Sequence, residues 1–342
     1  MTINYSIMKV NHAIRLFSAL AIGLMLTVSC KPKGSGEKIL PAISGKAGEI
    51  AVVCSRGDWQ AEPGNAIRDI MAQECPYLPQ VEPLYTLFNV PTQSFNKIFE
   101  VHRNIIWLNI GDEYPEAKMV LNNDVWAAPQ TVVRFEAKDQ NAVAALIRDN
   151  AENLLAIFEQ AERNRIIDSS REFEDLSIRR QVEQFAGGSP CFPTGYSIKK
   201  ITSDFMWISN ETTFTNQSIL VYKYPYTSPQ DLTAKALADK RNAVTQENIP
   251  CTTENSYVII NPMIEPGYKN LKYKSREFVE MRGLWEAYND FMGGPYVSHS
   301  FVNPKTNEII VLDAFVYAPK YPKRNYLRQV ESILYSFEWN GE

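Results

Sequence analysis

Hydrophobic positions along the chain fall into three regimes. From Glu49 to Ala137, short apolar runs alternate with segments of helical spacing. EIAVVC (49–54), PLYTLFNV (83–90), NIIWLNI (104–110) and QTVVRFEA (130–137) predict strands. Ile67, Ile70 and Met71 recur at helical spacing between Gly64 and Cys75, and Pro76 closes that helix. Residues 92–99 predict one or two further helical turns. Strands alternating with helices predict an α/β unit over 46–137. The second regime, 138–187, has no Pro between Pro129 and Pro190 and no Gly between Gly111 and Gly187. Val143, Leu146, Ile147, Leu154, Ile157, Phe158 and Ala161 recur there at helical spacing. Ser169 with Glu172 forms a capping-box pattern, which places a break near Asp168, and Gly187-Gly188 ends the second helix. This is a long helical connector. The third regime, 188–342, alternates apolar and polar residues in YSIKKI (196–201), DFMWISNE (204–211), QSILVYKY (217–224), SYVIINPM (256–263), KSREFVEMRGLWEA (274–287), GPYVSHSFVN (294–303) and EIIVLDAFVYAP (308–319). NPKTNE (303–308) is a hairpin turn, residues 230–247 are helical, and a last helix carries Leu327, Val330, Ile333, Leu334 and Phe337 on one face. The prediction is an antiparallel sheet covered by helices, and for the whole chain the α+β class.

Ahead of these regimes stands a different pattern. Lys9, His12 and Arg15 precede 13 uncharged residues, LFSALAIGLMLTV (16–28). A spanning helix needs about 20 apolar residues, so residues 1–29 read as a secretory signal peptide. The run ends in LTVSC, which resembles the lipobox of bacterial lipoproteins, with Thr27 where Leu is commonest. The resemblance implies cleavage before Cys30, a diacylglyceryl group on its thiol and an acylated amine, so that the membrane is a partner through lipid. Residues 30–45, with Gly34, Gly36, Gly45, Pro32 and Pro41, read as a flexible tether. No acidic cluster follows Cys30, which favours a lipid anchor in the outer membrane facing the periplasm.

Composition narrows the partners. The 342 residues suggest two domains, and 45% apolar residues supply a core. With 35 basic and 39 acidic residues, the net charge of −4 excludes a nucleic-acid partner held by phosphate neutralisation. In an exported protein Cys54, Cys75, Cys191 and Cys251 predict disulfides, with Cys54–Cys75 and Cys191–Cys251 as the expected pairs. The absence of CxxC, HExxH, GxSxG, Walker A and GxGxxG patterns points to no metal and no cofactor. Beyond the leader the histidines are His102 and His299, and on a strand Ser298 and Ser300 face away from His299.

The densest unusual segment is MRGLWEAYNDFMGGPYVSHS (281–300). Arg282, Trp285 and Glu286 are candidates to line a binding groove, the Trp stacking on a ligand and the ions orienting it. The same residues also read as a core Trp beside an ion pair. Asp313 interrupts an apolar strand, and Arg324 and Arg328 are its candidate partners. RGLWEAYNDFMGGPYVSHS, DAFVYAP and KRNYLRQVESILYSF together resemble domain-of-unknown-function family 4837, lipoproteins of Gram-negative anaerobes. That resemblance implies a lipid-anchored envelope protein and supplies no activity or catalytic residues. The strand–strand–helix ending also resembles the PsbP and Mog1 fold. The function expected is a non-enzymatic module that binds an envelope protein or glycan. The alternative is a hydrolase of envelope or dietary polymer using Glu286, His299 or Asp313.

Overall fold

Two sheets carry the fold of the computed structural model, which describes residues 39–341. The first has strands β1 (Glu49–Val53), β2 (Thr86–Val90), β3 (Asn104–Ile110), β4 (Lys118–Asn123) and β5 (Thr131–Ala137), in the order β2-β1-β3-β5-β4. Strands β1, β2, β3 and β5 are parallel; helices lie in the β1–β2 and β2–β3 connections, and the β3–β5 connection runs through β4. Helices α1 (Arg56–Gln60) and α2 (Glu62–Met71) join β1 to β2, and α3 (Lys97–Glu100) precedes β3. One face packs Ile50, Val52, Ile106, Val133 and Phe135 against α2, α4 (Gln140–Asp149) and α5 (Ala151–Glu172). Among the described residues the other face has no long helix. Ala51, Val53, Val90, Ile105 and Val132 lie there under Phe88, Phe95, Phe99, Trp107 and Trp126.

The four predicted strands of this unit are present. Strand β4 was not expected: it is an antiparallel edge strand paired only with β5, and its apolar run is just Met119-Val120-Leu121. The connector breaks at Asn150, not at Asp168, and α5 continues through Ser169. A tertiary contact ends it: the Asp175 amide donates to the Phe192 carbonyl and the Thr194 amide to that of Phe173, drawing 173–175 out of the helix. Asp175 then caps α6 (Leu176–Ala186) by accepting from the Ser177 and Ile178 amides. Gly187, at φ +78°, closes α6 as the sequence predicts.

In the second sheet the order is β10-β12-β13-β14-β9-β8-β7, with β11 pairing on β12 beside β10, all antiparallel. Its strands are β7 (Ser197–Ile201), β8 (Phe205–Glu211), β9 (Asn216–Pro225), β10 (Tyr257–Ile260), β11 (Gly267–Tyr273), β12 (Arg276–Tyr288), β13 (Gly293–Asn303) and β14 (Glu308–Tyr317). A small pair, β6 (Gly188–Ser189) with β15 (Glu338–Trp339), lies apart from it. Strand β11, with no fully buried residue, is the one the pattern missed. On one face α6 and α8 (Arg324–Tyr335) cover Ile208, Val221, Phe278, Val297, Phe301 and Leu312. On the other, α7 (Ala234–Asn248) packs near Leu220, Tyr222, Met281, Trp285, Tyr296 and Phe315. The architecture is α+β, with a first α/β unit, a helical connector and an antiparallel sheet covered by helices.

Two expectations are revised. Residues 41–45 do not belong to a tether: Ala42 bridges to Ala128, Ser44 to His102, and the Ser44 amide donates to the Val101 carbonyl. Cys54, Cys75, Cys191 and Cys251 are free thiols, so neither expected disulfide forms. Their surroundings differ. Cys54 packs in the core of the first sheet, Cys75 against the α8-side core and Cys251 against the α7-side core. Cys191 is buried where its amide donates to Ser336 Oγ. Cys30 and the leader lie outside the described residues.

Candidate functional site

Strand alternation decides where the predicted site residues go. Trp285 is a core residue, with its ring 5.3 Å from Phe315 and its indole N–H donating to the Val316 carbonyl at 3.2 Å. Asp313 lies on the same α7-side face, fully buried. Its partner is Arg241 of α7, through bonds of 2.7 Å from Nε and 3.2 Å from Nη2, and not Arg324 or Arg328. Those two stand on α8, beyond the opposite face, and Arg282 of β12 points to that face with its bonds to Glu280 and Glu331. Glu286 sits near the end of β12 and accepts from Asn261 at 2.6 Å. His299 pairs in register with Glu280 and points to the α8 side, whereas Ser298 pairs with Asp313 on the α7 side. The sheet therefore puts Trp285 and Asp313 on one side and Arg282, Arg324 and Arg328 on the other, and it also separates His299 from Asp313.

What the structure brings together instead is a charged cleft of about 580 Å3 between the two sheets' helices. Successive turns of α5 contribute Glu159 and Arg163. Helix α8 contributes Arg324, Leu327, Arg328, Glu331 and Tyr335, a stripe at spacing three and four. Alternation along β12 turns Glu280 and Arg282 the same way, and β11 adds Tyr268 and Lys269 at the rim. Tyr77 reaches over β11, with its hydroxyl 2.5 Å from where a Cβ on Gly267 would stand, so a larger residue at 267 would require the Tyr77 ring to shift.

Ion pairs tie these groups to one another. Arg282 donates to both oxygens of Glu280, at 2.6 and 3.2 Å, and also to Glu331. The Arg163 guanidinium lies 3.8 Å over the Tyr335 ring and 3.9 Å from Glu331. Arg328 donates to Glu159 at 2.6 Å, and the Tyr85 hydroxyl donates to the same oxygen at 2.8 Å. Beneath them His299 is sealed between the Phe278 and Tyr335 rings, with Nε2 3.5 Å from Glu280. Burial holds the His299 imidazole down at about 4, against the pull of Glu280. Burial also works against the Glu280 and Glu159 carboxylates. Arg282 and Arg328 respectively outweigh it, and both groups titrate below the ordinary carboxylate range. Burial pushes the Cys75 thiol up to about 11. At neutral pH the cleft is a fixed array of charges, five basic side chains against three acidic ones, in an acidic protein. No His, Cys, Asp and Glu cluster suited to a metal occurs among the described residues.

Arg282, Arg324 and Arg328 were legible as candidates in the sequence. Glu159, Arg163, Glu280, Glu331, Tyr335 and Arg241 were missed. The available signal was phase. Glu159 adjoins Phe158 and Arg328 adjoins Leu327, so each charge borders the buried stripe of its helix. Arg241 follows the buried Leu237 by one turn.

Comparison with known proteins gives family descriptions without an activity. Residues 43–171 match the family described as Domain of unknown function (DUF8532). No curated protein matches the chain. Among solved structures, a point mutant of protein Mog1 overlaps at a TM-score of 0.29 and 12% identity, over 45% of this chain and 90% of its own. The Saccharomyces cerevisiae Ran-binding protein Mog1p overlaps at a TM-score of 0.27 and 14% identity, over the same shares. The cleft thus draws Glu159 and Arg163 from one matched segment and its β12 and α8 residues from the other, and that second segment, residues 175–336, belongs to the family Domain of unknown function (DUF4837).

Proposed function

We propose that this chain is a lipid-anchored protein of the cell envelope that holds a partner, an envelope protein or glycan, in the cleft between α5, α8 and β12, and that it does so without catalysis. The observation that carries the reading is the pairing inside the cleft. Each of Glu159, Glu280 and Glu331 is held by an arginine, and His299 is buried as a neutral base. General acid–base work at neutral pH calls for a group that titrates near 7 and reaches a substrate. The cleft instead offers fixed cations, tyrosine hydroxyls and the Arg163–Tyr335 stack, which are recognition groups. The lipobox-like LTVSC supplies the location: two or three acyl chains on Cys30 hold a soluble body at a bilayer almost permanently.

The test uses the full chain in intact cells with a photo-crosslinking residue at exposed Lys269 on the cleft rim, and a control at exposed Gln181 on α6. A discrete protein or glycan adduct is expected at 269 and not at 181. No adduct, or the same adducts at both positions, overturns the binding reading. In parallel, a clickable palmitate analogue is expected to label the wild type and to lose its label in Cys30→Ala. Equal labelling overturns the anchor.

A further inference from the structure

Among the described residues, one face of the first sheet is covered by no long helix. We infer that this face, Phe95, Ile98, Phe99, Trp107 and Trp126, is the surface that the protein lays against the lipid headgroups of its own membrane. The inference rests on the lipid-anchor reading above.

Three observations converge on it. The first is the makeup of the face. Phe95 stands 4.6 Å from Trp107 and 5.3 Å from Trp126, and Trp107 stacks on Trp126 at 6.1 Å. All three are only partly buried, and Ile98 on the single-turn α3 is 75% exposed. Rings with an apolar body and a polar N–H edge prefer the boundary between headgroups and acyl chains. Exposed Lys97, and Arg134 at 5.9 Å from the Trp126 ring, add cations beside them that suit lipid phosphates.

The second is the point at which the chain joins the body. The Pro41 carbonyl accepts from the Ala128 amide at 3.0 Å, and Ala42 bridges to Ala128, two residues from Trp126. Ser44 bridges to His102, whose ring meets Phe88 edge-on at 5.1 Å. The chain therefore arrives on the rim of the aromatic face.

The third is length. Ten residues lie between Cys30 and Pro41, eleven steps from Cα to Cα. Full extension of that stretch spans at most about 40 Å. A folded chain of this size is about 50 Å across. An anchor on so short a leash keeps the rim where the chain joins near the bilayer, while the far pole stays in the aqueous phase. The aromatic face is the surface that contact selects.

The acylated full-length mature protein on phospholipid vesicles tests this, with and without bromine on the acyl carbons near the headgroup. Wild type is expected to float with the vesicles and to lose tryptophan emission on brominated lipid. Trp107→Phe with Trp126→Phe is expected to float equally and to lose most of that quenching. Ile98→Glu, an exposed change that leaves packing alone, is expected to cut the quenching at least twofold. Flotation with no quenching, or with quenching unchanged in both variants, overturns this orientation and leaves the anchor standing. Failure of the acylated wild type to float overturns both.

Discussion

His299 is the residue whose surroundings most constrain its chemistry. Its imidazole is fully buried, and it titrates at about 4 in place of 6.5. A base held neutral by burial stabilises the fold above the unfolded value of 6.5, and that contribution is lost as the pH falls from 6.5 towards about 4. The shift corresponds to about 3 kcal/mol. His299→Gln is therefore expected to reduce the dependence of unfolding free energy on pH across that window, leaving the contributions of His102, which burial also holds low, and of Asp313, which burial raises. The Glu280 contribution falls away below 4.5, beneath most of the window. Chemical denaturation at a series of pH values decides the matter, and an unchanged slope between 6.5 and 4 would refute the assignment. The sequence showed that Ser298 and Ser300 face away from His299. It could not show Glu280 opposite, because strand register is a long-range property.

At the scale of elements, α7 is joined to the second sheet through an ion pair with no exposure at either side chain. The Asp313 carboxyl is pushed up by burial and pulled back by Arg241. Removing one member of such a pair leaves an uncompensated group in the core, whereas replacing both with apolar residues costs far less. Arg241→Met is expected to destabilise by about 3 kcal/mol, and Arg241→Met with Asp313→Leu to recover most of that loss. Thermal or urea unfolding of the three proteins measures it, and a double variant no better than the single one would contradict the argument. Asp313 was visible in the sequence as a polar break in an apolar strand. Its partner was assigned to the wrong helix. Arg324 and Arg328 lie nearer in sequence, but Asp313 faces α7 and those two stand across the sheet. The connector shows the same limit. Its periodicity predicted helices, and Gly187 predicted their end. The break at Phe173–Asp175 comes from hydrogen bonds to residues 192–194, which helical periodicity does not register.

Over the whole molecule, the first sheet and the second are joined by a seam along α8. At Gly48, with φ +74°, a Cβ would stand within about 3 Å of the Arg324 and Arg328 guanidiniums, and glycine leaves that space to them. Arg324 donates to the Pro83 carbonyl, and Arg328 to the Leu84 carbonyl and Glu159. From Pro41 onward the chain is one compact unit. Wild-type unfolding is therefore expected to be a single transition, coincident by tryptophan fluorescence and far-ultraviolet circular dichroism. Arg328→Met is expected to lower stability by about 2 kcal/mol, for the lost charged hydrogen bonds. Two separated wild-type transitions would show that the seam does not couple the sheets.

Local pattern by itself determined the class of the fold, most strands, the hairpin at 303–308, the last helix and the family likeness, because period and turn chemistry act between near neighbours. It also determined three of the cleft's arginines. Edge strands β4 and β11 escaped it, since a strand paired on one side and wet along much of its length need not be apolar. Tertiary structure alone decided that the cysteines stay apart, that residues 41–45 join the body, and that the predicted groove divides across a sheet. Each of those outcomes depends on which distant segment arrives on which face, and a two-residue strand period names a side without naming what will cover it.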